Sequence, residues 1–276
     1  MSTPRYIVNT DLDATLLDHD TYSWQPAAEA IGMLKERGIP LILNSSKTLA
    51  EMQELAGELG LNHPLVCENG AFIAFPRSGE FEEEYIREHF TNVEVDDAYI
   101  LCHLGISRDQ FIGAMNTLRE ENEDYQFLGY ADWSVEQVAE HTGLPIEKAE
   151  LSKARKGTEP IHWHGSEEAF EEFEQELRLR KLKCVAGGRF IHISGLSDKA
   201  HGMQALSELY GKRSAEMVVT IALGDSPNDL GMLSAADIAV VIPNKVALEP
   251  SAHEVIKAAL HGPAGWNASI KSILER

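Results

Sequence analysis

The stretch IVNTDLDATLLD, residues 7–18, sets an apolar run directly against a crowd of acids. YIVNT, ending at Thr10, reads as a short strand buried on both faces, as strands of parallel sheets are. Asp11 and Asp13 follow at its end, and in extended chain both carboxylates point to the same side. Alone, such a pair is more simply a solvated loop with helix-capping acids. Asp18, a little further on, reads as a loop acid without a role. Ala14 stands where glycine would ease a tight turn. The stretch thus asks what would make the crowding tolerable, and whether Ala14 silences it.

Outward from this strand, helix and strand patterns alternate through the first ~80 residues. QPAAEAIGMLKERG carries Ala27, Ala28, Ile31 and Leu34 at helical spacing and stops at Gly38. IPLILNS is a second buried strand. KTLAEMQELAGELG is a helix, with Thr48 and Glu51 as a capping box. HPLVCENGAFIAFP reads as strand, turn at Asn69-Gly70, and strand. The last ~80 residues return to this alternation, with helical SDKAHGMQALSELYG, the strand MVVTIALGD, a helix opened by Ser226 and Pro227, and the strand DIAVVIP. Continuous apolar strands alternating with helices imply an α/β fold, a doubly wound and mostly parallel sheet covered on both faces.

The middle differs. It is rich in glutamate, with amphipathic helices in SRDQFIGAMNTLREEN and SEEAFEEFEQELRLRKL. EPIHWHG, KCVAGG and RFIHISG read as half-exposed antiparallel strands. The expected organisation is therefore an α/β core of residues 1–83 and 195–276, with a second α/β unit inserted over 84–194.

The chain has 276 residues, enough to bury a proper core without staples. Its 24 basic and 44 acidic residues give a net charge of −20, which argues against nucleic acid and anionic membrane as partners. The oligomeric state stays open. Cys67, Cys102 and Cys184 are sparse and without metal spacing, as in a reducing compartment. Apolar runs such as MVVTIALG fall far short of a membrane span, and the N-terminal residues reach acid too soon for a signal peptide. A cytoplasmic protein is expected.

Ligands of doubly wound sheets bind beyond the carboxyl ends of the strands. Four strands end there in polar residues: at Asp11, at Ser45, at Glu68-Asn69 and at Gly224-Asp225. Ser226 and Asp229 make a good helix start, but capping leaves Asp225 unexplained. Two acids side by side repel unless a cation neutralises them. Mg²⁺, which takes oxygen ligands, is the natural choice. Ser45 and Ser46, before a helix, suit a phosphate, although a plain N-cap serves as well. Lys199 opens a helix, the end where a base is disfavoured unless an anion stands in front of it. His162 and His164 on one strand, with His192 on another, make a metal site conceivable; half-exposed cap histidines are the simpler reading.

In order and spacing, DLDAT, LILNSS, Lys199 in SDKAHG, and GDSPND resemble the four motifs of the haloacid dehalogenase superfamily of phosphatases. The insert resembles the α/β cap of its sugar-phosphatase branch. SWQP, NSSKT, CENGA, EPIHW, GGRFIH and GPAGWN are similar to the mannosyl-3-phosphoglycerate phosphatases and their close relatives. The resemblance implies Asp11 as nucleophile and Asp13 as general acid and base. It implies Mg²⁺ held by Asp11, the Asp13 carbonyl and Asp225, with Asp229 through water or outer contacts. Ser45 and Lys199 would hold the transferring phosphoryl group. The substrate implied is a phosphorylated sugar acid: Lys153, Arg155 and Arg189 are candidates for its carboxylate, Glu68 and Asn69 for its sugar hydroxyls, and Lys47 lies near the phosphate site, each equally readable as turn or surface. Another sugar phosphate, a phosphosugar mutase, or a silent binding protein on this fold are the alternatives. The family usually shows glycine at Ala14. Alanine costs about 1 kcal/mol if φ is positive there, and removes no reacting group.

Overall fold

A computed structural model describes residues 5–187, 189–214 and 217–276, without the side chains of 186 and 187. Its strands and helices run β1 (Arg5–Thr10), α1 (Ala28–Glu36), β2 (Leu41–Leu43), α2 (Leu49–Glu58), β3 (Leu65–Cys67), β4 (Phe72–Pro76), α3 (Glu83–His89), β5 (Val93–Val95), β6 (Tyr99–His103), α4 (Arg108–Glu121), β7 (Phe127–Gly129), α5 (Val135–Thr142), α6 (Ile146–Lys153), β8 (Thr158–Trp163), α7 (Glu167–Leu179), β9 (Leu182–Gly187), β10 (Phe190–Gly195), α8 (Lys199–Ser214), β11 (Val218–Gly224), α9 (Leu230–Ala235), β12 (Ile238–Val241), β13 (Glu254–Lys257) and α10 (Gly262–Leu274).

Five strands pair in parallel in the order β13-β12-β11-β1-β2. The central pair, β1 and β11, is buried over most of its length, and the sheet is covered on both faces as its largely apolar strands require. Trp266 and Ile270 of α10 pack on one face with Leu34 of α1 and Met52 of α2. Leu206 and Tyr210 of α8 pack on the other, and Met203 meets Met232 and Leu233 of α9. Trp266 also donates its indole N–H to Thr10 Oγ1 at 2.9 Å, which satisfies the polar atoms of a dry layer.

Beyond β2, the parallel bridge Asn44–Val66 leads to a second, antiparallel group in the order β3-β4-β6-β5. Residues 93–103, placed in the insert by the sequence reading, thus pair onto the core through β4. The cause is local. Phe75, Phe81, Ile86 and Ile100 share one cluster with Tyr210, so α3 and β6 bury their apolar sides against α8. After His103 the chain builds a separate antiparallel sheet, β7-β8-β10-β9. Phe111 and Met115 of α4 and Phe173 and Leu177 of α7 close one of its faces, with Phe127 and Ile161. Tyr130, Trp133, Val138 and Ala149 form a smaller cluster around α5 and α6. Among the described residues no helix is long and apolar enough to cross a membrane.

Candidate active site

Parallel pairing brings the ends of β1, β2, β3 and β11 to one edge. The Asp11 N–H donates to Leu223 O at 2.9 Å, carrying the β1–β11 ladder one residue beyond the strand. This step sets Asp11 beside Asp225, and the two are 6% and 3% exposed. Lys199, the first residue of α8, is 1% exposed. Its ammonium donates to Asp11 Oδ1 at 2.5 Å and to Asp229 Oδ1 at 2.6 Å. The other Asp229 oxygen accepts the N–H groups of Asp225 and Ser226, at 3.1 and 3.0 Å, and the Ser226 hydroxyl at 3.0 Å. Asp229 therefore braces the turn after β11 and steers the lysine. Gly224 makes room for it: a Cβ there would lie 2.5 Å from Asp229 Cβ. Two residues absent from the sequence reading complete the ring. Thr15 Oγ1 donates to Asp225 Oδ1 at 2.9 Å, and Asn244 Nδ2 donates to Asp225 Oδ2. Asn244 lies just past the end of β12, so the strand-end rule could have found it.

Carboxylate oxygens of Asp11, Asp225 and Asp229 lie within 4.8 Å of one another, all buried. One lysine cannot balance three such acids. Burial, and then Asp229, push the Asp11 carboxyl up to about 8, although Lys199 pulls the other way. Burial and Asp229 raise Asp225 as well. Lys199 is raised above its ordinary value, because the two carboxylates outweigh its burial. Uncompensated charge among oxygen donors alone is the environment of a hard divalent cation. The arrangement fits a metal held by Asp11 and Asp225. Among the described residues this is the grouping of acids, histidines or cysteines close enough to share one.

Asp13 lies nearer solvent, paired with Lys47 Nζ at 3.0 Å. From Leu12 onward the chain turns sharply, with Leu17 N–H donating to Leu12 O at 2.8 Å. Ala14 sits in this turn at φ 60°. It thus occupies the left-handed region that glycine adopts without cost. Ala14→Gly should raise stability by about 1 kcal/mol, a gain of about 2–4 °C in Tm, with turnover retained. Thermal melts of the two proteins, beside an activity assay, check this. Asp18 has a structural task after all. It accepts the N–H groups of Asp20 and Thr21 and the Thr21 hydroxyl, at 3.2, 2.9 and 2.8 Å. The backbone hydrogen bond from Thr21 leads the causes that lower its pKa. The turn sets the Tyr22 ring 5.6 Å from Lys47 Nζ.

After β2, Ser45 is 1% exposed, and its N–H donates to Val66 O at 3.0 Å. α2 opens later than the serines: Thr48 is its N-cap, in the expected capping box with Glu51. Ser45 and Ser46 therefore line the loop before the helix. Asn44 Nδ2 donates to Lys199 O at 2.9 Å and ties this loop to α8.

The turn after β3 carries three successive positive φ values, 51° at Glu68, 56° at Asn69 and 81° at Gly70. Gly70 has no alternative, since a Cβ would lie 1.9 Å from Asp198 O. Asn69 Oδ1 accepts from Asn228 Nδ2 at 3.3 Å, which keeps it at the edge of the cluster. Glu68, expected to meet sugar hydroxyls, turns away into the segment between α6 and β8. Of the three basic residues expected at the substrate carboxylate, Arg155 alone approaches the core loop, with Nη1 3.5 Å from Ser46 O. Its guanidinium lies 5.4 Å from the Tyr130 ring. Lys153 instead donates to Tyr130 O. Arg189 donates to His141 O and Thr142 O, at 3.2 and 2.7 Å, closing the end of α5. His162 stacks on Phe190, with Trp133, His141 and His164 around it. His192, kept neutral by burial and Arg155, is lowered to about 4.

A doubly wound core with two buried acids at strand ends and a lysine at a helix start beside them is the arrangement of a haloacid dehalogenase-like hydrolase. The family model described as haloacid dehalogenase-like hydrolase matches residues 8–261, and the chain belongs to that family. It is 36% identical to a glucosyl-3-phosphoglycerate/mannosyl-3-phosphoglycerate phosphatase of Methanococcoides burtonii, over 98% of this chain and 97% of the relative. A phosphatase of the same name from Persephonella marina is 33% identical over 97% of each. Among solved structures, a haloacid dehalogenase-like hydrolase from Bacteroides thetaiotaomicron superimposes with a TM-score of 0.65 at 20% identity, over 98% of this chain and 100% of that one. The sucrose-phosphatase of Synechocystis does so with 0.59 at 14% identity, over 98% of each. These two share the fold.

Proposed function

We propose that the chain is a Mg²⁺-dependent phosphatase acting on a glycosyl-3-phosphoglycerate. The observation that carries this reading is the buried Asp11–Lys199–Asp225 cluster, in a chain alike over nearly its whole length to two enzymes of that name. Asp11 attacks phosphorus through a carboxylate oxygen, and the bond from phosphorus to the ester oxygen breaks. Asp13 gives the departing oxygen its proton, then takes a proton from the water that releases phosphate from Asp11. Lys199 and Ser45 hold oxygens of the transferring group. Asp11, the Asp13 carbonyl and Asp225, with Asp229 behind, would hold the metal, which would lessen repulsion between carboxylate and phosphate. Lys47 and Asn69 stand at the mouth, and Arg155 faces it from the cap, which we take as residues 104–194. Arginine suits the bidentate pairing that a glycerate carboxylate offers. The place of action is the cytoplasm, which suits a chain whose three cysteines are unpaired.

Phosphate release from a panel of esters tests the reading. Mannosyl- or glucosyl-3-phosphoglycerate should be hydrolysed with kcat/KM about tenfold or more above 3-phosphoglycerate and simple sugar phosphates, a gap of about 1.4 kcal/mol in transition-state binding. EDTA should abolish release and Mg²⁺ restore it. Equal, sluggish rates on every ester would remove the substrate assignment. Return of an isomerised phosphosugar without free phosphate would mark a transferase.

A further inference from the structure

Glu68 is 1% exposed, a burial rare for an acid. Its Oε1 accepts the Lys156 N–H at 2.8 Å. Its Oε2 accepts the Gly157 and Thr158 N–H groups at 3.2 and 2.8 Å and the Thr158 hydroxyl at 2.6 Å. Three successive backbone donors thus converge on one carboxylate, and such charge-assisted bonds are strong where water is excluded. The donors belong to the segment that returns from α6 to β8. Gly157 is pressed so close to the core that a Cβ would lie 2.2 Å from Ala71 Cβ.

The backbone of the same turn faces the other way. Glu68 N–H donates to Lys47 O at 3.1 Å, and Asn69 N–H donates to Ser45 O at 2.8 Å. These bonds hold two non-glycine residues at positive φ, a conformation kept only where the surroundings impose it. Arg155 precedes the three donors. It reaches Thr158 Oγ1 at 2.7 Å, lies 4.0 Å from Glu68, and has its Nε buried without a partner. A second tie runs from Thr48 Oγ1 to Leu151 O at 2.8 Å.

We propose that Glu68 is a positioning residue that latches residues 156–158 of the cap to the loop carrying Ser45 and Lys47. Cap placement is thereby set relative to the phosphate loop, whose own geometry rests on backbone bonds, with Arg155 held over the loop. Only the kinetic consequence rests on the proposed phosphatase reading.

Glu68→Gln keeps the size of the side chain, removes its charge, and turns an amide donor toward backbone donors. Hydrogen exchange on the full-length variant should show the amides of 156–158 exchanging about ten- to a hundredfold faster, the range expected for losing hydrogen bonds to a charged group. Amides of β1 and β11 should be unaffected. KM for mannosyl-3-phosphoglycerate should rise about tenfold, while kcat on p-nitrophenyl phosphate, too small to need the cap, stays within about twofold. Thr158→Val, which removes one donor from the cap side, should give the same pattern in weaker form and serves if the first variant does not fold. Unchanged exchange at 156–158 overturns the latch. So does acceleration spread equally through β1 and β11, or a loss of kcat shared by both substrates. A wild-type enzyme inactive on the glycosyl ester overturns the substrate reading alone, and the exchange pattern then decides the latch.

Discussion

Asp11→Asn should lower turnover about 10⁴-fold or more, while making the metal-free protein harder to unfold. The two effects share one cause. A carboxylate can attack phosphorus and an amide cannot, so the reaction stops at its first step. The same carboxylate is destabilising at rest, buried beside Asp229 with half a claim on Lys199. Its pKa is raised on folding from 3.8 to about 8, so the folded state binds a proton that the unfolded chain has released. Stability is therefore lost as pH rises across that interval. The amide feels no such loss, so its advantage in EDTA should be absent near pH 4 and greatest above about pH 8. Added Mg²⁺ should reverse the order, since a cation bound at the proposed site would stabilise the native wild type by mass action. Phosphate release, with melts in EDTA and in Mg²⁺ from about pH 4 to about pH 9, reads both arms. Mg²⁺-dependent turnover that survived the change would remove Asp11 as nucleophile.

That Asp11 could be singled out from sequence reflects how parallel sheets are built. A strand buried on both faces is largely apolar, so the polar residues that close the run mark the ligand edge. Asp11, Ser45 and Asp225 all follow such runs, and Lys199 stood out by being a base at the wrong end of a helix. Asn244 obeys the same strand-end rule but carries no charge to draw the eye. Thr15 is legible only once Asp225, 210 residues away, is placed beside it. The pairing of residues 93–103 with β4 was hidden for a related reason. β5 and β6 are short, and β5 is half-exposed, so their pattern matches an edge hairpin of either unit. What decides is Ile86 and Ile100 meeting Tyr210, a contact across more than a hundred residues. The same limit hid Glu68. Nothing local separates an acid aimed at sugar from one aimed at Lys156–Thr158, because its donors lie about 90 residues ahead. Arg189 shows the converse: a basic residue in a family-like motif is spent on capping α5.

Lys199→Met should be the more damaging change to the fold, costing about 3–5 kcal/mol, and should lower turnover about a thousandfold. The methionine fills the space of the stem and supplies no charge. Asp11 and Asp229 would then face each other, buried, with no cation between them. Removing one partner of a buried ion pair costs far more than the pair itself contributes, because the other charge is stranded. Catalysis should suffer separately, since this ammonium lies 2.5 Å from the Asp11 carboxylate proposed to attack phosphorus. A double-mutant cycle divides these effects. Adding Asp229→Asn to Lys199→Met should recover about 1–3 kcal/mol, because the second change removes one stranded charge. The amide oxygen can still accept the N–H groups of Asp225 and Ser226, so the turn after β11 keeps its brace. Turnover should not recover, for nothing restores the cation beside Asp11. Urea unfolding of the four proteins, at one pH and without metal, gives the coupling. Simple additivity would mean that Lys199 and Asp229 act independently, and that the lysine serves the substrate rather than the acids that hold it.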